Sequence, residues 1–156
     1  MYIVLTIFIT LAVAVAMEAV AWFEHRYIMH GFLWIWHEDH HKPIRKGLQL
    51  NDLFVLLFAL PSFLCIFLGL LYGIWYLPAI GYGLALYGIA YTLFHDIMFH
   101  KRVKWLKLKP RGRYFEGIIA AHRLHHRVNE KDGALSFGFL YAPKSYRSPD
   151  TWPPKA

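Results

Sequence analysis

Two apolar stretches dominate the chain, and polar residues follow each of them. Residues 3–23, IVLTIFITLAVAVAMEAVAWF, are interrupted by a single charge, Glu18. Residues 53–94 are 42 residues with no charge at all. As a helix rising 1.5 Å per residue, the first stretch covers about 31 Å, the thickness of a bilayer's hydrocarbon core. The second is long enough for two spans, with a turn signalled from Gly73 to Pro78. The pattern predicts an all-α integral membrane protein with three to four transmembrane helices, at about 3–23, 53–72 and 75–94. Pro61 is expected to kink the second span, and Asn51-Asp52 to cap its start. A cleavable signal peptide competes for residues 1–23, since Ala14-Val15-Ala16 resembles a cleavage site. No basic residue precedes the apolar run, so a retained helix is expected.

The rest of the chain is shorter in period. Residues 114–126, YFEGIIAAHRLHH, predict a helix with too few apolar residues to span. Residues 133–143, GALSFGFLYAP, are also too short and read as a re-entrant or lid segment. Ala79, Gly81, Gly83, Ala85, Gly88 and Ala90 line up in the third span. They fit close helix packing or, alternatively, a groove admitting a long apolar substrate. One domain, 1–143, is expected, with 144–156 a flexible tail carrying three prolines.

Composition and charge sharpen this picture. The 156 residues are 57% hydrophobic, which is high for a water-soluble domain of this size. The net charge is +7, but no Lys or Arg occurs in 1–25 or 47–100. All 17 lie in 26–46 and 101–155. That alternation follows the positive-inside rule, argues against a nucleic-acid partner, and places the polar stretches on the cytoplasmic side of a cell inner membrane. Residues 101–113, KRVKWLKLKPRGR, suit an interfacial segment on anionic lipid or a docking surface for an acidic electron carrier. Cys65 is the only cysteine, so an intramolecular disulfide is excluded.

The chemistry lies in the polar stretches. All ten histidines fall in four boxes: His25 and His30 (HX4H), His37, His40 and His41 (HX2HH), His95 and His100 (HX4H), and His122, His125 and His126 (HX2HH). The two-box unit thus occurs twice. Imidazole binds iron, zinc and copper at neutral pH. On a helix, i, i+3 and i+4 share a face, so each HX2HH box is expected to converge. In an α-helix the HX4H residues lie about 140° and about 7.5 Å apart, so they should flank a cluster without chelating side by side. Ten ligands exceed the needs of one ion, and two ions are the natural reading. Both HX4H boxes extend a span at the same membrane side. Glu18, one helical face below His25, is either a snorkelling carboxyl or a support beneath the metals. Glu38 and Asp39 either orient imidazole N–H groups or are solvated. No Ser–His or Cys–His nucleophile is evident.

These boxes resemble those of the fatty acid hydroxylase superfamily of membrane di-iron enzymes, and most closely the bacterial β-carotene 3-hydroxylases. The likeness runs from about residue 16 to 143. It includes Met17-Glu18, Tyr27-Ile28-Met29-His30-Gly31, Asn51-Asp52-Leu53, His95-Asp96, Ala121 to His126, and Ser136 to Pro143. It implies hydroxylation at carbon 3 of the β-ionone rings of β-carotene, giving zeaxanthin through cryptoxanthin. It further implies two iron ions as cofactors, which zinc can replace in a purified sample, and O2 as co-substrate. All ten histidines would be metal ligands. Asn51, Asp52 and Asp96 join Glu18, Glu38 and Asp39 as candidates to support them. Ferredoxin and its reductase would supply electrons, and the lipid bilayer would deliver the carotenoid. Other readings are a sterol, fatty-acid or carotenoid-ketolase type oxygenase, or a non-catalytic metal-binding or transport protein. The transporter reading conflicts with histidines that lie beyond the span ends rather than at midplane.

Overall fold

A computed structural model describes residues 1–42, 47–106, 108 and 111–147. Residues 43–46, 107, 109–110 and the tail from 148 to 156 lie outside the described residues. Every regular element among the described residues is helical. Helix α1 (Tyr2–Phe23) passes without a break into a π-helical segment, Glu24–Phe32, and α2 (Trp34–His41) follows. A 3-10 turn, Leu50–Val55, leads into α3 (Leu56–Tyr72), which Gly73 ends in the left-handed conformation at φ 68°. Helix α4 (Tyr76–Tyr91) continues as a second π-helical segment, Thr92–Phe99. Helix α5 (Arg113–His125) comes last, before a 3-10 turn at Lys144–Tyr146.

Three helices are long and apolar enough to cross a membrane: Tyr2–Phe32, Leu50–Tyr72 and Tyr76–Phe99. They overlie the expected spans, with the third starting one residue later, and the first and third run on because both HX4H boxes keep helical hydrogen bonding beyond the apolar run. Helix α3 runs on through Pro61. The outer faces carry Ile3, Phe8, Val15, Phe63 and Leu70, all exposed. Large apolar side chains facing outward along three helices suit lipid as the solvent.

Helix α4 packs between α1 and α3, and the small residues explain how. A Cβ on Gly83 would lie 2.6 Å from Val13 Cβ, and one on Gly81 would lie 2.7 Å from the Ser62 carbonyl. Such approach lets hydroxyls bond across helices. Thr10 donates to the Ala79 carbonyl (3.1 Å) and Ser62 to that of Gly81 (2.8 Å). Gly88 differs: nothing lies within 4 Å of a Cβ built there, and with Ala85 it borders a cavity. The packing and groove readings of the small residues therefore both hold, at different positions.

Two local expectations are corrected. The turn into α3 starts at Leu50, so its cap is Gln49, whose N–H donates to the Asp52 carboxylate (2.9 Å). Asn51 is left free for another partner. Residues 133–143, expected as a re-entrant or lid segment, form an irregular strap with Ala134, Phe139 and Ala142 buried. The start of the tail is docked, with Tyr146 against Ile118, Ala121 and Ala142, and the Arg147 Nε donating to the Ala142 carbonyl (2.7 Å).

Candidate metal centre

The ends of the first and third spanning helices, together with α2 and α5, bring all ten histidines to one place. They divide into two groups of five. His25, His30, His37, His41 and His125 form the first, and His40, His95, His100, His122 and His126 the second. Within each group one nitrogen per residue lies within 4.8 Å of all the others. His37, His95 and His125 are fully buried.

Both HX4H boxes do bring their imidazoles side by side, against the α-helical expectation. Their backbone is π-helical, with hydrogen bonds from i+5 to i. The His100 N–H donates to the His95 carbonyl itself (3.0 Å), and Leu33 to Ile28 likewise (3.0 Å). That wider turn stacks residues five apart on one face. The imidazoles of His25 and His30 stand 5.4 Å apart, and those of His95 and His100 4.5 Å.

The HX2HH boxes do not converge on one point either. Each sends its first and third histidines to one group and its middle histidine to the other. Neighbouring positions on an α-helix are about 100° apart, so His40 and His41 diverge although both face inward. His125 of α5 thus completes the group built on the first π-helical segment, and His40 of α2 the group built on the second.

Hydrogen bonding fixes the protonation of the first group. The Nδ1–H of His25 donates to the Phe137 carbonyl (2.8 Å), that of His30 to Lys131 (2.8 Å), that of His41 to Val128 (2.8 Å) and that of His125 to Leu135 (3.0 Å). His37 donates to the Asn51 side-chain oxygen (2.6 Å). Carbonyl oxygens only accept, so the proton is on Nδ1 and each Nε2 keeps a bare lone pair. Those Nε2 atoms face one another at 3.1–3.2 Å. Facing lone pairs repel, and a cation between them relieves this. In the second group, His95 Nδ1 faces Asp96 (2.8 Å) and His40 Nδ1 faces Gln49 at a long 3.5 Å. There Nε2 of His122 lies 2.8 Å from that of His100, and His126 Nε2 is buried with no partner. The donor sets fit metal ions: both are all-imidazole, and the first is oriented from behind and bare where an ion would sit.

Burial holds the imidazoles neutral. Desolvation, with His30 beside it, lowers His41 to about 4. Desolvation and Arg102 lower His100 to about 4. Desolvation and neighbouring His100 lower His126 to about 2. His37, His40, His122 and His125 are pushed well below the ordinary value, first by burial and then by other histidines. An unfolded chain protonates these groups near pH 6.5, while the fold resists it. The metal-free fold therefore loses stability as the pH falls from about 6.5 towards about 4. Chelator-treated protein in detergent is expected to melt several degrees lower at pH 5.5 than at pH 7.5. An unchanged Tm would contradict the buried neutral clusters.

The polar residues beside the boxes separate clearly. Asn51 and Asp96 touch imidazoles directly. Asp39 does not: its carboxylate accepts from the backbone N–H groups of Leu50 (2.6 Å) and Asn51 (3.4 Å), holding Asn51 behind His37. Glu38 pairs with Lys42 (3.1 Å) at the surface. Asp52 binds Arg102, whose guanidinium also lies 3.8 Å from Asp96. Glu18 touches no imidazole and instead binds the strap. The residues that sequence reading missed are Gln49, Arg102, Tyr91 and Phe139, and the strap carbonyls. Tyr91 stacks on His95 (4.5 Å), and Phe139 lies parallel to His25 (5.6 Å) and edge-on to His95 (5.2 Å). Aromatics beside a histidine box are the one signal that could have found them; a carbonyl leaves no mark in a sequence.

Beneath the histidines lies an apolar cavity of about 860 Å³ between α3 and α4. Phe54, Phe58, Ile66 and Leu84 line it, and Tyr91 and Phe139 close its histidine end. Exposed Val55, Phe63 and Ile89 lie at its rim.

Fold and site together define a helical membrane protein with paired histidine centres above an apolar cavity. A family model described as fatty acid hydroxylase matches residues 10–142, and the chain belongs to that family. It is 46% identical over 132 residues to the β-carotene hydroxylase of Pseudescherichia vulneris, covering 83% of this chain and 73% of that one. It is 44% identical over 140 residues to the β-carotene hydroxylase of Pantoea ananas, covering 89% and 77%. The chloroplastic β-carotene 3-hydroxylase 2 of Arabidopsis thaliana is 34% identical over 146 residues, covering 89% of this chain and 46% of that protein. No solved structure gives a significant match.

Proposed function

We propose that the protein is a membrane oxygenase that hydroxylates carbon 3 of the β-ionone rings of β-carotene, giving zeaxanthin through cryptoxanthin. The observation that carries this reading is the pair of five-imidazole groups, the first with its unprotonated Nε2 atoms turned inward. The names of relatives matched over most of the chain supply the substrate. One iron would be held by His25, His30, His37, His41 and His125, and a second by His40, His95, His100, His122 and His126. Five imidazoles exceed the four-coordinate habit of zinc and suit iron. When bound, the two irons supply redox chemistry, using O2 and two external electrons to convert an unactivated C–H bond to an alcohol with release of water.

The chain's own residues do the rest. Strap carbonyls, Asn51 and Asp96 hold imidazole rings in one orientation and tautomer. Burial keeps water from the clusters. The cavity would take the apolar ring and adjoining polyene, entering from the bilayer past the exposed rim. Tyr91 and Phe139 stand between cavity and histidines, the position from which aromatic faces can direct the ring. We place the histidine end on the cytoplasmic side of the inner membrane, where the basic residues concentrate. A ferredoxin with its reductase would be the electron source.

The test is expression in a host that accumulates β-carotene, with iron supplied and pigments separated by chromatography. Cryptoxanthin and then zeaxanthin are expected. Unchanged β-carotene with the protein present in the membrane would overturn the reading, and keto products would move it to a sister reaction.

A further inference from the structure

Glu18 is a charged residue within the first span, seven positions before His25. One of its oxygens, Oε1, accepts from three consecutive backbone N–H groups: Phe139 (2.9 Å), Leu140 (3.0 Å) and Tyr141 (2.9 Å). The other accepts from the Tyr87 hydroxyl (3.0 Å). Successive N–H groups turned to one point form an anion nest. Close approach is built in, since a Cβ on Gly138 would collide with the Tyr141 carbonyl and lie 2.8 Å from Glu18 Oε1. The strap held in this way is the segment whose carbonyls, at Val128, Lys131, Leu135 and Phe137, receive four of the first group's Nδ1–H bonds. Between the last two, Ser136 sits at φ 60°, a left-handed conformation that non-glycine residues keep only where their surroundings hold them. Among the described residues, no strap carbonyl accepts from the second group, which leans on Asp96 and Gln49.

We propose that Glu18 is the positioning residue of the first histidine group: its carboxylate clamps the strap of residues 128–141, and the strap carbonyls aim His25, His30, His41 and His125. Glu18 acts through the strap alone and touches neither cluster. Its loss loosens one metal position and spares the other. Glutamine keeps an oxygen for the three N–H groups and an amide that can donate to the Tyr87 oxygen, so the neutral variant preserves the clamp. Aspartate keeps the charge but is one methylene too short to reach.

This rests on the two-centre reading, and the experiment separates the two. Detergent-purified, monodisperse protein is loaded with cobalt(II), and bound metal is counted by elemental analysis and by the cobalt absorption bands. Wild type is expected to hold about two ions per chain, E18Q about two, and E18A and E18D about one. E18A combined with H95A/H122A is expected to hold almost none. E18A combined with H30A/H41A still holds about one. Wild type holding fewer than two ions sinks the two-centre reading. Wild type at two with E18A and E18D also at two sinks the proposal alone. So does loss of both ions together, or E18Q failing like E18A, which would mark a packing or charge role. Where E18A yields no monodisperse protein, E18D against E18Q decides by the same counts.

Discussion

His125→Ala is expected to lower zeaxanthin formation to below about one hundredth of wild type, and His40→Ala to do the same. These are the two histidines that cross between the repeated units. His125 is fully buried, donates to the Leu135 carbonyl, and faces Nε2 of both His30 and His41. Alanine there removes a ligand and leaves the Leu135 carbonyl without its donor, which alone costs about 1–3 kcal/mol. The informative readout is which site empties. His125 shares its helix with His122 and His126, yet its loss should weaken metal binding by the group that holds His25. His40 shares α2 with His37 and His41, yet its loss should weaken the group that holds His95. Metal counts in H125A/H95A and H125A/H30A backgrounds separate these cases. Near wild-type pigment conversion in either single variant would remove the crossing histidines from the centre.

The crossing has a structural consequence. Neither HX4H–HX2HH unit can complete a five-imidazole set alone, because each lacks the ligand its partner provides. The two groups also abut, with His41 and His126 stacked at 4.5 Å. Docking of α5 against the ends of the first and third spans is therefore part of building both sites, and the sites in turn tie α5 to the bundle.

The sequence made the membrane frame and the ten histidines legible because both depend on composition at fixed spacing. Uncharged runs set the spans, and the four boxes sit where those runs end. The ligand sharing was not legible for a geometric reason. Predicted as α-helix, His25 and His30 point about 140° apart. The π-helical turn that brings them together depends on tertiary contacts, and nothing in HRYIMH announces it. The same holds for the carbonyls of Val128, Lys131, Leu135 and Phe137, which every residue possesses. Asp39 was visible as a carboxylate beside histidines, but its role, holding the Leu50–Asn51 backbone, depends on a contact between segments 11 and 12 residues apart. Glu18 stood out as a charge in an apolar run; its strap partners lie more than 120 residues away.

Filling the cavity at Gly88 is expected to cut hydroxylation at least tenfold while leaving the fold and both metal groups intact. Gly88 is the position on α4 where the chain tolerates added bulk. Its Cβ would meet nothing within 4 Å, whereas those of Gly81 and Gly83 would collide with neighbouring helices. Gly88→Ala adds helix propensity of about 1 kcal/mol without reaching across the cavity, so it should stabilise the protein and keep activity. Gly88→Phe projects a ring into the space that the β-ionone group is proposed to use, below Tyr91 and Phe139. Ala85→Phe, from the same wall, should act alike. Product analysis in the β-carotene host, run beside metal counts on the purified variants, distinguishes a blocked cavity from a damaged centre. Full conversion by Gly88→Phe and Ala85→Phe with normal metal content would mean that the carotenoid reaches the histidines by another route. Loss of conversion with two ions still bound ties the groove between α3 and α4 to the substrate and leaves the small residues of α4 with two separate duties, packing at Gly81 and Gly83 and access at Ala85 and Gly88.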